Sequence, residues 1–199
     1  MEPPRASQLL TDWRDGPGEK TLGGLIETIG PRSFALLFIV LLGLPALPLP
    51  TGGITHILEI VAMILALQLI VGRKTVWIPK RWRAMKLEEG AKGKFIDGII
   101  KYTTKIERFS KPRLTWLFGY WWSDVFYGVA VFAGTLAAFL APPFTGLDTI
   151  PALGVLILSV GVIMEDIAFV IGGAVFIVAG AVLEVTIGDA LYRAVKSII

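Results

Sequence analysis

The sequence predicts an all-α polytopic membrane protein: two Pro-broken helical hairpin repeats, a fifth apolar helix and amphipathic interfacial helices. Three observations carry that expectation: the composition, a series of apolar runs, and a Pro-rich break that occurs twice. Of 199 residues, 54% are hydrophobic and 18% charged, and the mean hydropathy is +0.70. Soluble domains average about 45–50% apolar and about 25% charged residues. The length fits one membrane domain, residues 1–199, with no room for a large soluble module.

Residues 1–20 are polar and carry Pro3, Pro4, Gly16, Pro17 and Gly18, which predicts a flexible N-terminus. No short apolar core of a cleavable signal peptide is visible there, so targeting is expected from the first membrane segment. From Thr21 to Ile29 the spacing predicts a short amphipathic helix. Thr21 is its cap, and Leu22, Leu25, Ile26 and Ile29 share one face.

Five apolar segments follow: Phe34 to about Leu47, Ile54–Gly72, about Val125–Ala141, Ile150–Met164 and Ile167–Ile187. A helix needs about 20 residues to span a hydrocarbon core of about 30 Å. The first and fourth, at roughly 14–15 residues, reach only about 22 Å at 1.5 Å per residue. These two read as re-entrant, or as spanning only where neighbours cover their ends.

The break reads Leu44-Pro45-Ala46-Leu47-Pro48-Leu49-Pro50-Thr51-Gly52-Gly53, then again Leu140-Ala141-Pro142-Pro143-Phe144-Thr145-Gly146. Sliding the chain by 94 positions sets Phe38 on Phe132, Pro48 on Pro142, Thr51 on Thr145, Gly52 on Gly146 and Thr55 on Thr149. That divides the chain into a first repeat, 34–72, a second, 125–164, and a last apolar helix, 167–187. Proline removes a backbone donor and clashes with the preceding turn. In lipid the freed carbonyl must then be satisfied by protein or trapped water. Broken segments at matching positions of two halves point to a transporter-type site. The plainer reading is a pair of hairpins whose tight turns lie at the membrane surface.

Between the repeats, residues 73–113 hold 13 of the 19 Lys and Arg residues against four acids. The positive-inside rule places this loop in the cytoplasm, with the N-terminus on the same side. If the last three segments all cross, the C-terminus lies outside. Within the loop, residues 94–110 predict an amphipathic helix with Phe95, Ile99, Tyr102, Ile106 and Phe109 on one face. A basic amphipathic stretch beside a membrane suits anionic headgroups, for which Arg73, Lys74, Lys101 and Lys105 are the candidate ligands. Trp77, Trp82, Trp116, Tyr120, Trp121, Trp122 and Tyr127 read as an aromatic belt.

Small residues recur at four-residue spacing in the third segment (Ala130, Gly134, Ala138) and cluster in the fifth (Gly172, Gly173, Gly180). They predict close helix packing and support a homodimer.

Ionisable residues in apolar segments default to functional candidates. His56 and Glu59 share a helix face directly after the first break, and Thr149 follows the second beside Asp148. Glu165 and Asp166 divide the fourth and fifth segments; Asp124 and Glu184 sit in the third and fifth. The candidate substrate-binding set is Thr51, Thr55, His56, Glu59, Thr145, Thr149, Glu165 and Asp166. Threonines suit a polar solute or freed carbonyls, and a histidine beside a carboxylate suits proton coupling.

Other chemistry is excluded by what the chain lacks. It has no cysteine and one histidine, so disulfides and the usual zinc sites are out. There is no phosphate-binding Gly loop and no nucleophile elbow. No cofactor, metal, nucleic-acid partner or enzymatic activity is expected.

The chain resembles the ExoD family of bacterial exopolysaccharide-synthesis membrane proteins. The resemblance rests on Leu44–Pro50, Gly72-Arg73-Lys74-Thr75-Val76-Trp77-Ile78-Pro79, Arg108–Leu114, and Pro142–Gly146 with Ile150-Pro151-Ala152-Leu153, running on to Gly161 and Asp166. It implies an inner-membrane protein linked to export or assembly of surface polysaccharide, and it carries over no catalytic motif. Three functional readings follow. The first is a transporter-like protein with a polar site at the two breaks. The second is a non-transporting scaffold that binds lipid or polysaccharide-synthesis proteins through residues 73–113. The third is an ion or proton exchanger acting indirectly.

Overall fold

The computed structural model describes residues 6–17, 20–47, 54–87, 91–107, 110, 112–141 and 146–196. Thr51 and Thr145, and the centres of both breaks, lie outside the described residues.

Among the described residues the regular elements are helices, in the order α1 (Ala6–Asp15), α2 (Leu22–Ile29), α3 (Ser33–Leu42), α4 (Ile54–Ile70), α5 (Lys80–Arg83), α6 (Ala91–Glu107), α7 (Trp121–Leu140), α8 (Thr149–Met164) and α9 (Ile167–Lys196). Short 3-10 turns precede α3 (Gly30–Arg32) and α7 (Thr115–Gly119).

α3, α4, α7, α8 and α9 pack as a bundle, most tightly α8 on α9 and α4 on α7. α3 lies in the core: Phe34, Phe38 and Leu42 are fully buried, and the Phe38 ring meets Tyr127 of α7 edge-on at 5.8 Å. Small residues let the backbones close up. A methyl group on Gly173 would lie 2.4 Å from the backbone nitrogen of Leu158, and one on Gly180 would lie 2.6 Å from the Pro151 ring. So these glycines, with Gly134 against Val155 and Ile177, serve packing inside one chain.

The α8–α9 hairpin keeps a strict antiparallel register. Moving outward from its turn, Gly161 meets Val170, Leu158 meets Gly173, Gly154 meets Ile177 and Pro151 meets Gly180. α4 and α7 also run antiparallel, because Gly128 abuts Ile70 and Ala66 while His56 touches Phe139. The bundle therefore has two unlike ends. One holds the flanks of both proline breaks, where Ala46, Ala138 and Ala152 form a small buried cluster. The other gathers the N-terminal helices and the basic loop.

The predicted α2 forms as expected, with Thr21 Oγ1 accepting from the Gly24 N–H at 3.2 Å. Residues 6–15, part of the stretch expected to be flexible, form α1. Leu10 and Trp13 share a face and are buried, and the Ser7 N–H donates to Glu107 Oε1 of α6 at 3.0 Å. α7 begins at Trp121, ahead of the predicted Val125, and α9 runs on past Ile187 to Lys196. Among the described residues two helical stretches, Trp121–Leu140 and Ile167–Ala190, are long and apolar enough to cross a membrane; α3, α4 and α8 are shorter apolar helices.

Candidate functional site

At the proline-break end, α4 begins with the buried Thr55, the half-buried His56 and the fully buried Glu59. Residues three apart on a helix face one another, so His56 Nδ1 comes within 2.8 Å of Glu59 Oε2. The imidazole also packs edge-on against Phe139 of α7, with ring centroids 5.3 Å apart. That contact fixes the ring next to the second break. Glu59 Oε1 is buried and has no hydrogen-bond partner.

Two further acids belong to this end. Asp148 stands just before the first turn of α8, beside Thr149. The register of the α8–α9 hairpin carries Glu184 to the same level. Glu184 Oε1 is likewise buried without a partner. Asp148 acts electrostatically on both Glu59 and Glu184, and Glu59 acts on Glu184. Three carboxylates and one imidazole, drawn from α4, α8 and α9, thus share one end of the bundle. An unpaired buried polar group costs about 2–7 kcal/mol on transfer scales, and a charged one more, so this end is costly to fold as an anion.

Glu165 and Asp166 lie at the other end, separated from the first set by the length of α8, ~24 Å for its 16 residues at 1.5 Å each. Their contacts build the α8–α9 turn. Glu165 adopts the left-handed conformation that closes α8 (φ 52°) and pairs with Arg32. Asp166 caps α9 by accepting from the Ala168 N–H at 3.1 Å, and it accepts from the Ser110 hydroxyl at 3.2 Å. The Glu165 carbonyl accepts from the Arg113 N–H at 3.0 Å. The chain therefore brings Thr55, His56, Glu59 and Thr149 to one end of the bundle, without Glu165 and Asp166. Asp148 and Glu184, absent from the candidate set, take their place.

The basic end is tied down by ion pairs. Lys74 Nζ reaches Asp124 Oδ2 at 2.6 Å, and Arg83 pairs with Glu27. Gln68 clamps the backbone of Trp77, accepting from its N–H at 2.8 Å and donating to its carbonyl at 3.1 Å. Arg73, Lys101 and Lys105 are exposed, as are Trp77, Trp82, Trp116 and Trp121. A cavity of about 690 Å³ opens here between the start of α7, the end of α8 and the start of α9. Its walls include Phe118, Trp122, Phe126, Leu158 and Val162, with the Arg32–Glu165 pair on one side.

Fold and site together define a helical bundle with two membrane-length helices and an acidic, histidine-bearing end. The chain belongs to the ExoD family, described as "Exopolysaccharide synthesis, ExoD", whose model matches residues 6–186. The family associates it with exopolysaccharide synthesis, and two of its described helices have the length and composition that a membrane span requires. It is 24% identical over 156 residues to "Uncharacterized protein slr1875" of Synechocystis sp. (strain ATCC 27184 / PCC 6803 / Kazusa), covering 77% of this chain and 73% of that one. No solved structure matches it.

Proposed function

We propose that this chain is a multi-pass inner-membrane protein that moves, or helps to move, a solute needed for exopolysaccharide production, through the polar site at the proline-break end. One observation carries the reading: Glu59, fully buried, is hydrogen-bonded to His56 beside the flanks of both breaks. An ionisable pair at a break between helices is costly and otherwise unexplained. Multi-pass insertion is supported by the outer surface. Ile57, Ile60, Ile64 and Leu67 on α4, Phe126 and Val129 on α7, and Ile171, Val175, Val178 and Val182 on α9 are large, apolar and exposed. Apolar cover of that extent suits hydrocarbon better than water. Both hairpins, α3–α4 and α7–α8, turn at the same end, which supports parallel repeats. The pairing of α4 with α7 and α3 with α8 is what a two-fold exchange of the hairpins would give.

The scaffold reading draws on the opposite end. There the exposed lysines and tryptophans and the apolar-walled cavity suit anionic lipid. Polysaccharide output decides between them in a strain that depends on this chain. Transport predicts that Glu59→Gln lowers output sharply while Lys101→Glu with Lys105→Glu is milder. The scaffold predicts the reverse order.

A further inference from the structure

We infer that the proline-break end is a proton-binding site, in which Glu59 is the buried acceptor, His56 its relay to water, and Asp148 and Glu184 the neighbouring acids that complete it. The inference rests on the polar-site reading above and names what that site binds.

Glu59 Oε2 is held by the imidazole, but Glu59 Oε1 and Glu184 Oε1 are both buried without a donor. A carboxylate oxygen in that position loses its hydration and gains nothing in exchange. Charge points the same way. Coupled electrostatically to Glu59 are His56 on its own helix, Asp148 just before α8 and Glu184 on α9. α3 carries no charged side chain, and the one acid of α7, Asp124, lies at the far end bound to Lys74. Among the described residues none of Glu59, Asp148 and Glu184 pairs with a lysine or arginine. Arg32 and Lys74 are engaged at the other end, and Arg193 is bound to Asp189. Three acids thus face at most one positive charge. A metal ion fits less well, because among the described residues no three His, Asp or Glu side chains are grouped to hold one.

The ring is the part of the pair that reaches the molecular surface. The His56 side chain is 30% exposed while that of Glu59 is 0% exposed. A water-borne proton adds to Nε2 as the Nδ1 proton passes to Glu59 Oε2. A hydronium O–H bond and the Nδ1–H bond break while the Nε2–H bond and the Glu59 O–H bond form, leaving water, a neutral ring in the other tautomer and a neutral carboxylic acid. Reversal returns the proton to water.

The test is pH-difference infrared spectroscopy of the purified full-length protein in lipid nanodiscs, reading the carbonyl stretch of a protonated carboxylic acid. The expected result is a band that grows on acidification, is lost in Glu59→Gln, and shifts its midpoint in Asp148→Asn and in Glu184→Gln. Thermal melting of each variant establishes that it folds. If Glu59→Gln does not fold, the other two variants decide: a midpoint moved by neither overturns the inference. A band that persists unchanged in folded Glu59→Gln also overturns it. So does a band abolished by sodium at constant pH, which would assign the site to a metal cation. Polysaccharide output from Glu59→Gln cells separates this outcome from the transport reading: normal output with the band lost would keep the proton site and reject its role in export.

Discussion

His56 Nδ1 lies 2.8 Å from Glu59 Oε2 one helical turn away, and of the two side chains only the imidazole reaches the surface. The pair sits at the start of α4, the helix that follows the first proline break in sequence. Burial makes Glu59 dependent on this one donor. The same burial makes the pair sensitive to substitutions that would be mild on a soluble surface.

His56→Phe keeps the ring contact with Phe139 and removes the donor. Both Glu59 oxygens are then left without a partner, at an expected cost of about 1–3 kcal/mol. His56→Asn, whose amide can still donate, is expected to recover part of that loss. Thermal unfolding in detergent reads the difference; equal stability of the two variants would show that the hydrogen bond contributes nothing.

Gly173 and Gly172 are adjacent but face opposite ways. A methyl group on Gly173 meets the backbone of α8 at 2.4 Å, whereas one on Gly172 meets nothing within 4 Å. Gly173→Ala is expected to cost about 1–3 kcal/mol by overpacking, and Gly172→Ala to be neutral within measurement. Melting curves of the two purified variants check the contrast, and equal effects would place the α8–α9 contact elsewhere.

Asp166→Ala removes the cap of α9 and the acceptor of Ser110. Loss of an N-cap alone costs about 0.5–2 kcal/mol. The expected signature is faster hydrogen exchange in the first turn of α9 and in residues 110–114, with α4 unchanged. An unchanged exchange pattern at both places would refute the capping role.

Gln68→Leu frees both backbone groups of Trp77. Limited proteolysis is expected to cut residues 71–79 several-fold faster in the variant. Equal cutting rates would mean that the clamp does not order the loop.

Much of this arrangement was legible in the residues. Apolar runs marked α3, α4, α7, α8 and α9. Thr21 marks the cap of α2, and the two Pro-rich stretches fall between α3 and α4 and between α7 and α8. The ends of helices were less visible: α7 starts in the aromatic cluster at Trp121, whose rings read equally well as belt anchors. α1 was hidden because Pro and Gly flank its single apolar stripe of Leu10 and Trp13. The site was half legible. Spacing alone joins His56 to Glu59, whereas residue type groups Glu165 and Asp166 with them although they pivot a turn at the far end. That same turn held the missing signal. A tight hairpin closing at Glu165-Asp166 sets Pro151 against Gly180, and one more turn outward sets Asp148 level with Glu184. Register, which residue type does not reveal, selects the acids that join Glu59.

The central claim is that a polar site lies at the proline-break end, and thiol accessibility tests it most directly. The native chain has no cysteine, so single cysteines at His56, Glu59 and Glu184 can be compared with one at Val155, in the core and fully buried. Intact cells would be treated with a membrane-impermeant thiol reagent, with and without prior blocking by a permeant one. The account predicts that His56→Cys labels fastest, and that Glu59→Cys and Glu184→Cys label measurably faster than Val155→Cys. Glu59→Cys as protected as Val155→Cys, with both reagents, would contradict it.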